Sequence, residues 1–181
     1  MQFSQIRRSA QNLIEGRANL ETVRAEFIEA ANLFKFGYLL DVLEADQKPE
    51  ADSVLFKTAN YILKSYNDHF YYVLSSLIDT AKEYLHEQEN TINYVDAIYD
   101  LAHNLDITSI CDDLSYAYYE SSEINKPENT RHLYSDQLLE EFDRQIQKLE
   151  DYIKPKLIAI CEDILTRYDK EYMEDLEPEL Q

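Results

Sequence analysis

The sequence predicts an all-α fold, an elongated bundle of about five to six helices built on two long ones. Three observations carry that expectation. Apolar residues recur at steps of three and four through most of the chain, which is the period of one helix face. No stretch alternates apolar and polar residues as a half-buried strand does. Only two Gly and four Pro occur among 181 residues, too few for the tight turns of a β-rich chain. With 45% hydrophobic residues the chain is able to bury a core, and one all-helical domain over residues 1–181 is expected.

The elements follow in order. Residues 2–15 form a first helix, with Phe3, Ile6, Ala10, Leu13 and Ile14 on one side and Gly16 as its stop or kink. Asn19 caps a second helix over 20–46, whose stripe is Leu20, Val23, Phe27, Ala30, Phe34, Tyr38 and Val42. Gly37 lies inside that stripe, where it weakens the helix and lets another helix approach closely. The run around Pro49 is the first clear turn. The longest uninterrupted pattern covers 53–88: Leu55, Ala59, Ile62, Tyr66, Phe70, Val73, Leu77, Ala81 and Tyr84 make its stripe. Leu63, Leu74, Ile78 and Leu85 widen it. Asp52 or Ser53 caps its start, and its length predicts a rod of roughly 50 Å.

Asn90 or Thr91 starts the next helix, with Ile92, Val95, Ile98 or Tyr99, and Ala102 inward. Asn104 and Asp106 mark a break, and Asp106 is placed to cap a short helix that turns Ile107, Ile110, Cys111, Leu114 and Tyr118 to the core. Residues 121–130 read as the longest loop. The second long helix runs from about Ser135 to Glu174 on Phe142, Ile146, Leu149, Ile153, Leu157, Ile160, Ile164, Tyr168 and Tyr172. Pro155 removes a backbone donor and crowds the preceding turn, so a kink or break is predicted near Tyr152–Lys154. The acidic tail, 174–181, is expected to fray. The core is expected to include Leu63, Phe70, Leu74, Leu77, Ile146, Leu149, Ile160 and Ile164.

Charge narrows the function. The formal net charge is −19, which repels phosphate and argues against direct binding of nucleic acid or an anionic membrane. It favours a basic protein partner, or serves solubility alone. Cys111 and Cys161 are far apart with no CxxC motif, as in a reduced cytoplasmic protein. No signal peptide and no membrane span is evident.

The most unusual stretch is 83–125, which holds ten acids, six tyrosines and no Lys or Arg. Carboxylates three or four residues apart on a helix lie about 5–6 Å from each other, comparable to successive phosphates of a nucleic-acid strand. Asp96 and Asp100 share one face, and Asp113, Tyr116, Glu120 and Glu123 share a face of the next helix. The partner-binding candidates are Glu89, Asp96, Asp100, Asp112, Asp113, Tyr116, Tyr119, Glu120 and Glu123. Asp96, Asp100, Asp113 and Glu120 are all expected to face solvent. The tyrosines would supply rigid anchors with a polar tip. The competing reading is a solvated acidic face whose tyrosines close the edge of the core. Residues 1–24 carry a net charge of +2 through Arg7, Arg8, Arg17 and Arg24. That helix is expected to pack across the acidic surface of its own chain, or else to meet an acidic partner.

Glu83-x-x-His86 and Asp100-x-x-His103 have the carboxylate-x-x-His spacing of di-iron bundles. Their unequal distances from the turn at 88–90 misalign them by more than about 10 Å, so no metal and no cofactor is expected. There is no phosphate-cradling Gly loop, GxSxG or HExxH, and no enzyme activity is expected. In composition alone the chain resembles small acidic phage and mobile-element proteins that imitate nucleic acid and block defence nucleases, a likeness of charge and not of motif. That likeness implies a non-enzymatic, anti-defence inhibitor of a nucleic-acid-binding protein. The alternative is a helical adaptor or homo-oligomer whose acidity only confers solubility.

Overall fold

Among the described residues, 3–65, 68–124 and 128–169, the computed structural model holds eight α-helices and no strand. They are α1 (Phe3–Ile14), α2 (Leu20–Phe34), α3 (Gly37–Ala45), α4 (Ala51–Ser65), α5 (Asp68–Glu87), α6 (Thr91–Asn104), α7 (Thr108–Ile124) and α8 (Asp136–Ile164). A 3-10 turn covers Glu128–Leu133, and a π-helical turn, Leu165–Asp169, extends α8. Helices α1 to α4 pack on one another, α5 to α7 follow as antiparallel neighbours, and α8 lies against all three. One buried apolar cluster runs through both groups, from Ile6 to Tyr168.

The all-α bundle is as the apolar period requires, with more helices than expected. One added boundary is the break between α2 and α3, inside the helix predicted over 20–46. Lys35 adopts a left-handed φ of 56° as the α2 C-cap, and Phe36 is extended. The break turns Phe36 into the core, fully buried, with its ring centroid 5.8 Å from Phe70 and 5.9 Å from Tyr168. Tyr168 Oη then donates to the Phe34 carbonyl at 2.6 Å.

The same break explains Gly37. A helix start leaves several N–H groups without partners, and Phe36 offers no side-chain cap. Asp106, 68 residues away from Tyr38, supplies the acceptors: its carbonyl takes the Gly37 N–H at 2.6 Å and its carboxylate the Tyr38 N–H at 2.9 Å. A Cβ on residue 37 would stand 2.5 Å from Asp106 Oδ2. The expected close approach is therefore made by a loop carboxylate, and Asp106 caps α3 where the sequence placed it on α7.

Other boundaries move for local reasons. The rod expected over 53–88 is described as α4 and α5, on either side of Tyr66 and Asn67, which lie outside the described residues. Asp52 falls within the first turn of α4 and pairs with Arg24 rather than capping from outside. The helix after Asp106 is 17 residues long and takes the first part of the expected loop. Helix α8 continues through Pro155 without a break. Pro155 and Asp151 are both exposed, so water can serve the carbonyl that proline leaves without a donor. Glu174 and the tail lie outside the described residues.

Phe70, Leu74, Leu77, Leu149, Ile160 and Ile164 are buried as expected. Leu63 and Ile146 are only partly buried at the core's edge, and Ile14 is 38% exposed at the end of α1. No helix among the described residues is long and apolar enough to cross a membrane. Helix α1 packs chiefly on α4, beside α2, rather than across the acidic stretch. Arg24 pairs with Asp52, while Arg7 and Arg8 are exposed.

Leu74 is fully buried, so Leu74→Ala should cost about 2–5 kcal/mol of stability; an unchanged denaturant midpoint with the same slope would contradict this inward face. Alanine is the better helix former by about 1 kcal/mol, yet Gly37→Ala should lower the midpoint because its Cβ meets Asp106. Asp106 has a φ of 58°, so Asp106→Gly keeps the backbone while removing the carboxylate, at about 1 kcal/mol for the lost cap. In that background Gly37→Ala should become neutral or stabilising; additive losses would dissolve the contact.

Candidate functional site

The acidic stretch folds into the end of α5, the hairpin of α6 and α7, and the turns between them. Gln88 and Asn90 adopt φ of 52° and 50°, which reverses the chain. Tyr84 and Thr91, both buried, close the turn through their hydroxyls at 3.3 Å. Asn90 makes no side-chain cap. Glu150 of α8 reaches the Ile92 N–H instead, at 3.4 Å.

Where α6 and α7 cross, aromatic rings hold them. Tyr99 and Tyr118 stack with centroids 4.0 Å apart and planes 17° apart. Tyr119 meets both edge-on, and its hydroxyl lies 3.4 Å from that of Tyr99. Tyr118 Oη donates to Asp100 at 3.2 Å, and Ser121 Oγ to Asp96 at 3.3 Å. These bonds tie two of the predicted carboxylates into the hairpin itself.

The nine candidate residues therefore divide. Glu89 is exposed at the α5–α6 turn. Asp100 is exposed and Asp96 half-buried on the α6 side. Asp112, Tyr116, Tyr119 and Glu123 follow at steps of four, three and four as the exposed outer ridge of α7. Asp113 turns toward α8 and pairs with Lys156 at 3.0 Å. Glu120 is half-buried in the groove between α7 and α8. The expectation that Asp96, Asp100, Asp113 and Glu120 all face solvent holds for Asp100 and for Asp113, which is exposed though ion-paired, and is corrected for Asp96 and Glu120, which are half-buried.

The sequence also missed where the bases are. Residues 83–125 carry none, but α8 brings three alongside. Lys154 Nζ donates to the Gln88 carbonyl at 2.8 Å, Lys156 Nζ to the Asp113 carbonyl at 2.9 Å, and Lys148 lines the α7–α8 groove. Tyr152 of α8 joins the site as well; its ring stands against Tyr116 with centroids 6.1 Å apart. The signal available was the spacing Lys148, Tyr152, Lys156, one ridge of α8 at steps of four.

Burial pushes the Cys111 thiol up to about 11, with the charge of Asp112 adding to it, and pushes Cys161 up to about 12. Both are held as neutral thiols, the environment of unreactive cysteines. Among the described residues no three His, Cys, Asp or Glu side chains converge as a metal site. Compared with family models, curated proteins and solved structures, the chain matches none. Function is therefore argued from the surface itself.

Two carboxyls carry a pH dependence. Burial raises the pKa of Asp96, with the nearby charge of Asp100 adding to it and Ser121 opposing it. Burial also raises that of Asp106, opposed by the Tyr38 N–H and by His103 and assisted by Asp41. A raised folded-state pKa means the folded protein holds its proton longer. That stability is fully present below the ordinary carboxylate range and is lost as pH rises through the raised values. Lowering the pH from neutral into the carboxylate range should therefore raise the contribution of these two groups to stability, and Asp96→Asn with Asp106→Asn should flatten the rise in Tm. An equal slope in the double variant would assign the effect to other groups.

Proposed function

We propose that this chain is a non-enzymatic binding protein that docks a basic surface of a protein partner through the outer face of α7. One observation carries the reading: the ridge Asp112, Tyr116, Tyr119, Glu123 is exposed along its length, with both rings 60% exposed. Large exposed rings between carboxylates suit an interface that combines anchors with charge. The specific form proposed is imitation of a nucleic-acid strand, so that the partner is a nucleic-acid-binding protein such as a defence nuclease. Carboxylates one turn apart approximate the spacing of phosphates, and a net charge of −19 draws a basic groove from a distance.

A second reading, the adaptor or oligomer, is favoured by Leu133 and Leu138, which are 70% and 40% exposed where α8 begins. Its partner would be recognised by apolar area, with little response to salt.

Pull-down at low and high salt, with the wild-type chain and with Glu89→Lys, Asp112→Lys and Glu123→Lys combined, separates the two. All three positions are exposed, so circular dichroism should not change. The proposed reading expects capture of a nucleic-acid-binding protein that salt and the triple reversal both abolish. The association rate should fall first, because long-range attraction mainly speeds encounter. The captured protein should also lose its own nucleic acid to this chain. Capture that ignores both salt and the reversal, but fails on Leu133→Ser with Leu138→Ser, transfers the function to the adaptor reading.

A further inference from the structure

We infer that the groove between α7 and α8 seats a basic side chain of the partner, arginine in preference to lysine; this rests on the reading that the acidic face of α7 binds a basic protein. The groove encloses about 570 Å³ between Tyr116, Glu120 and Ile124 of α7 and Lys148, Leu149 and Tyr152 of α8. The rings of Tyr116 and Tyr152 stand at 83° to each other, 60% and 66% exposed. Two perpendicular rings offer faces in two directions at one corner, and each face carries the negative potential that holds a cation. Among the described residues these rings meet each other and no internal cation.

Glu120 stands one helical turn from Tyr116, on the same wall. It is half-buried and makes no ion pair or hydrogen bond among the described residues. Its neighbour Asp113 differs, because Lys156 already neutralises it where α7 and α8 close together. The groove thus keeps one unneutralised carboxylate beside two open rings. Ile124 and Leu149 supply apolar lining against which the aliphatic stem of a basic side chain can lie.

Lys148 is the groove's own cation; it is exposed to solvent and lies near enough to Glu141 to act on that carboxyl as well. The Glu141 carboxyl is held below its ordinary value by hydrogen bonds from Gln145 and Arg144, and then by the charges of Arg144 and Lys148. Arginine fits the remaining corner better than lysine. Its planar guanidinium stacks on a ring while its N–H groups still reach a carboxylate, whereas an ammonium acts as a point charge.

The test titrates the full chain at low salt with a synthetic peptide of alternating glycine and arginine, following tyrosine ring signals by NMR. Peptides of alternating glycine with lysine, and of glycine with glutamate, are the comparisons. The expected result is saturable movement of the Tyr116 and Tyr152 signals, tighter for arginine than for lysine and absent for glutamate. Tyr152→Ala and Glu120→Gln should each weaken the arginine peptide about tenfold, with an unchanged circular dichroism spectrum. Saturable binding that moves Tyr119 while Tyr152 stays silent, and that survives both substitutions, overturns the groove assignment and leaves the acidic-face reading standing. No movement of any ring with either basic peptide overturns both.

Discussion

The break between α2 and α3 is the constraint on which the rest of the structure depends. A helix continued through Lys35 would carry Phe36 round with it. Breaking there lets Phe36 enter the core, where it meets Phe34, Tyr38, Phe70 and Tyr168. Those rings belong to the N-terminal helices, to α5 and to the end of α8, so one side chain joins the two groups of helices. The cost is a new helix start with unsatisfied N–H groups, and Asp106 meets it from the α6–α7 turn. The position of the acidic hairpin is thereby tied to the N-terminal half of the chain.

Much of this was legible, and the failures share one cause. Period alone located the helices and most of the buried face, because burial of an apolar stripe is a local property of the sequence. Gly37 inside an apolar stripe marks a point of close approach, but nothing local to it identifies Asp106 as the neighbour. Asp106 was likewise read as a cap, which it is, and assigned to the nearest helix rather than to one 68 residues back. Leu63 and Ile146 kept the period yet fell at the edge of the core, since period fixes a face and not how much of that face a neighbour covers. In each case the missing information was which elements meet.

The surface shows the same limit in charge. Ten acids without a base, read along the chain, look like one unbroken field. In three dimensions α8 lies beside them and spends Lys154 on the α5–α6 turn and Lys156 on Asp113. Like charges at such spacing repel by a few tenths of a kcal/mol per pair, and these lysines, with the hydroxyls of Tyr118 and Ser121, offset part of that. Compensation is uneven. It falls on Asp113 beside α8 and on Asp96 and Asp100 at the seam with α6, while Asp112 and Glu123 stay exposed on the outer ridge.

That unevenness bears on why the tyrosines are where they are. A flexible acidic segment would attract a basic surface equally well at long range, but would lose conformational entropy on docking. Here the carboxylates ride on a hairpin whose two helices are locked by the Tyr99–Tyr118 stack and by Tyr119 against both rings. A tyrosine has only two side-chain torsions to fix and a hydroxyl that stays wet, so it serves the seam and the exposed ridge with the same chemistry. The seam rings fix the spacing of the carboxylates in the free chain. In the proposed docking, charge would govern the encounter, and the exposed rings of Tyr116 and Tyr119 would govern how long the partner stays.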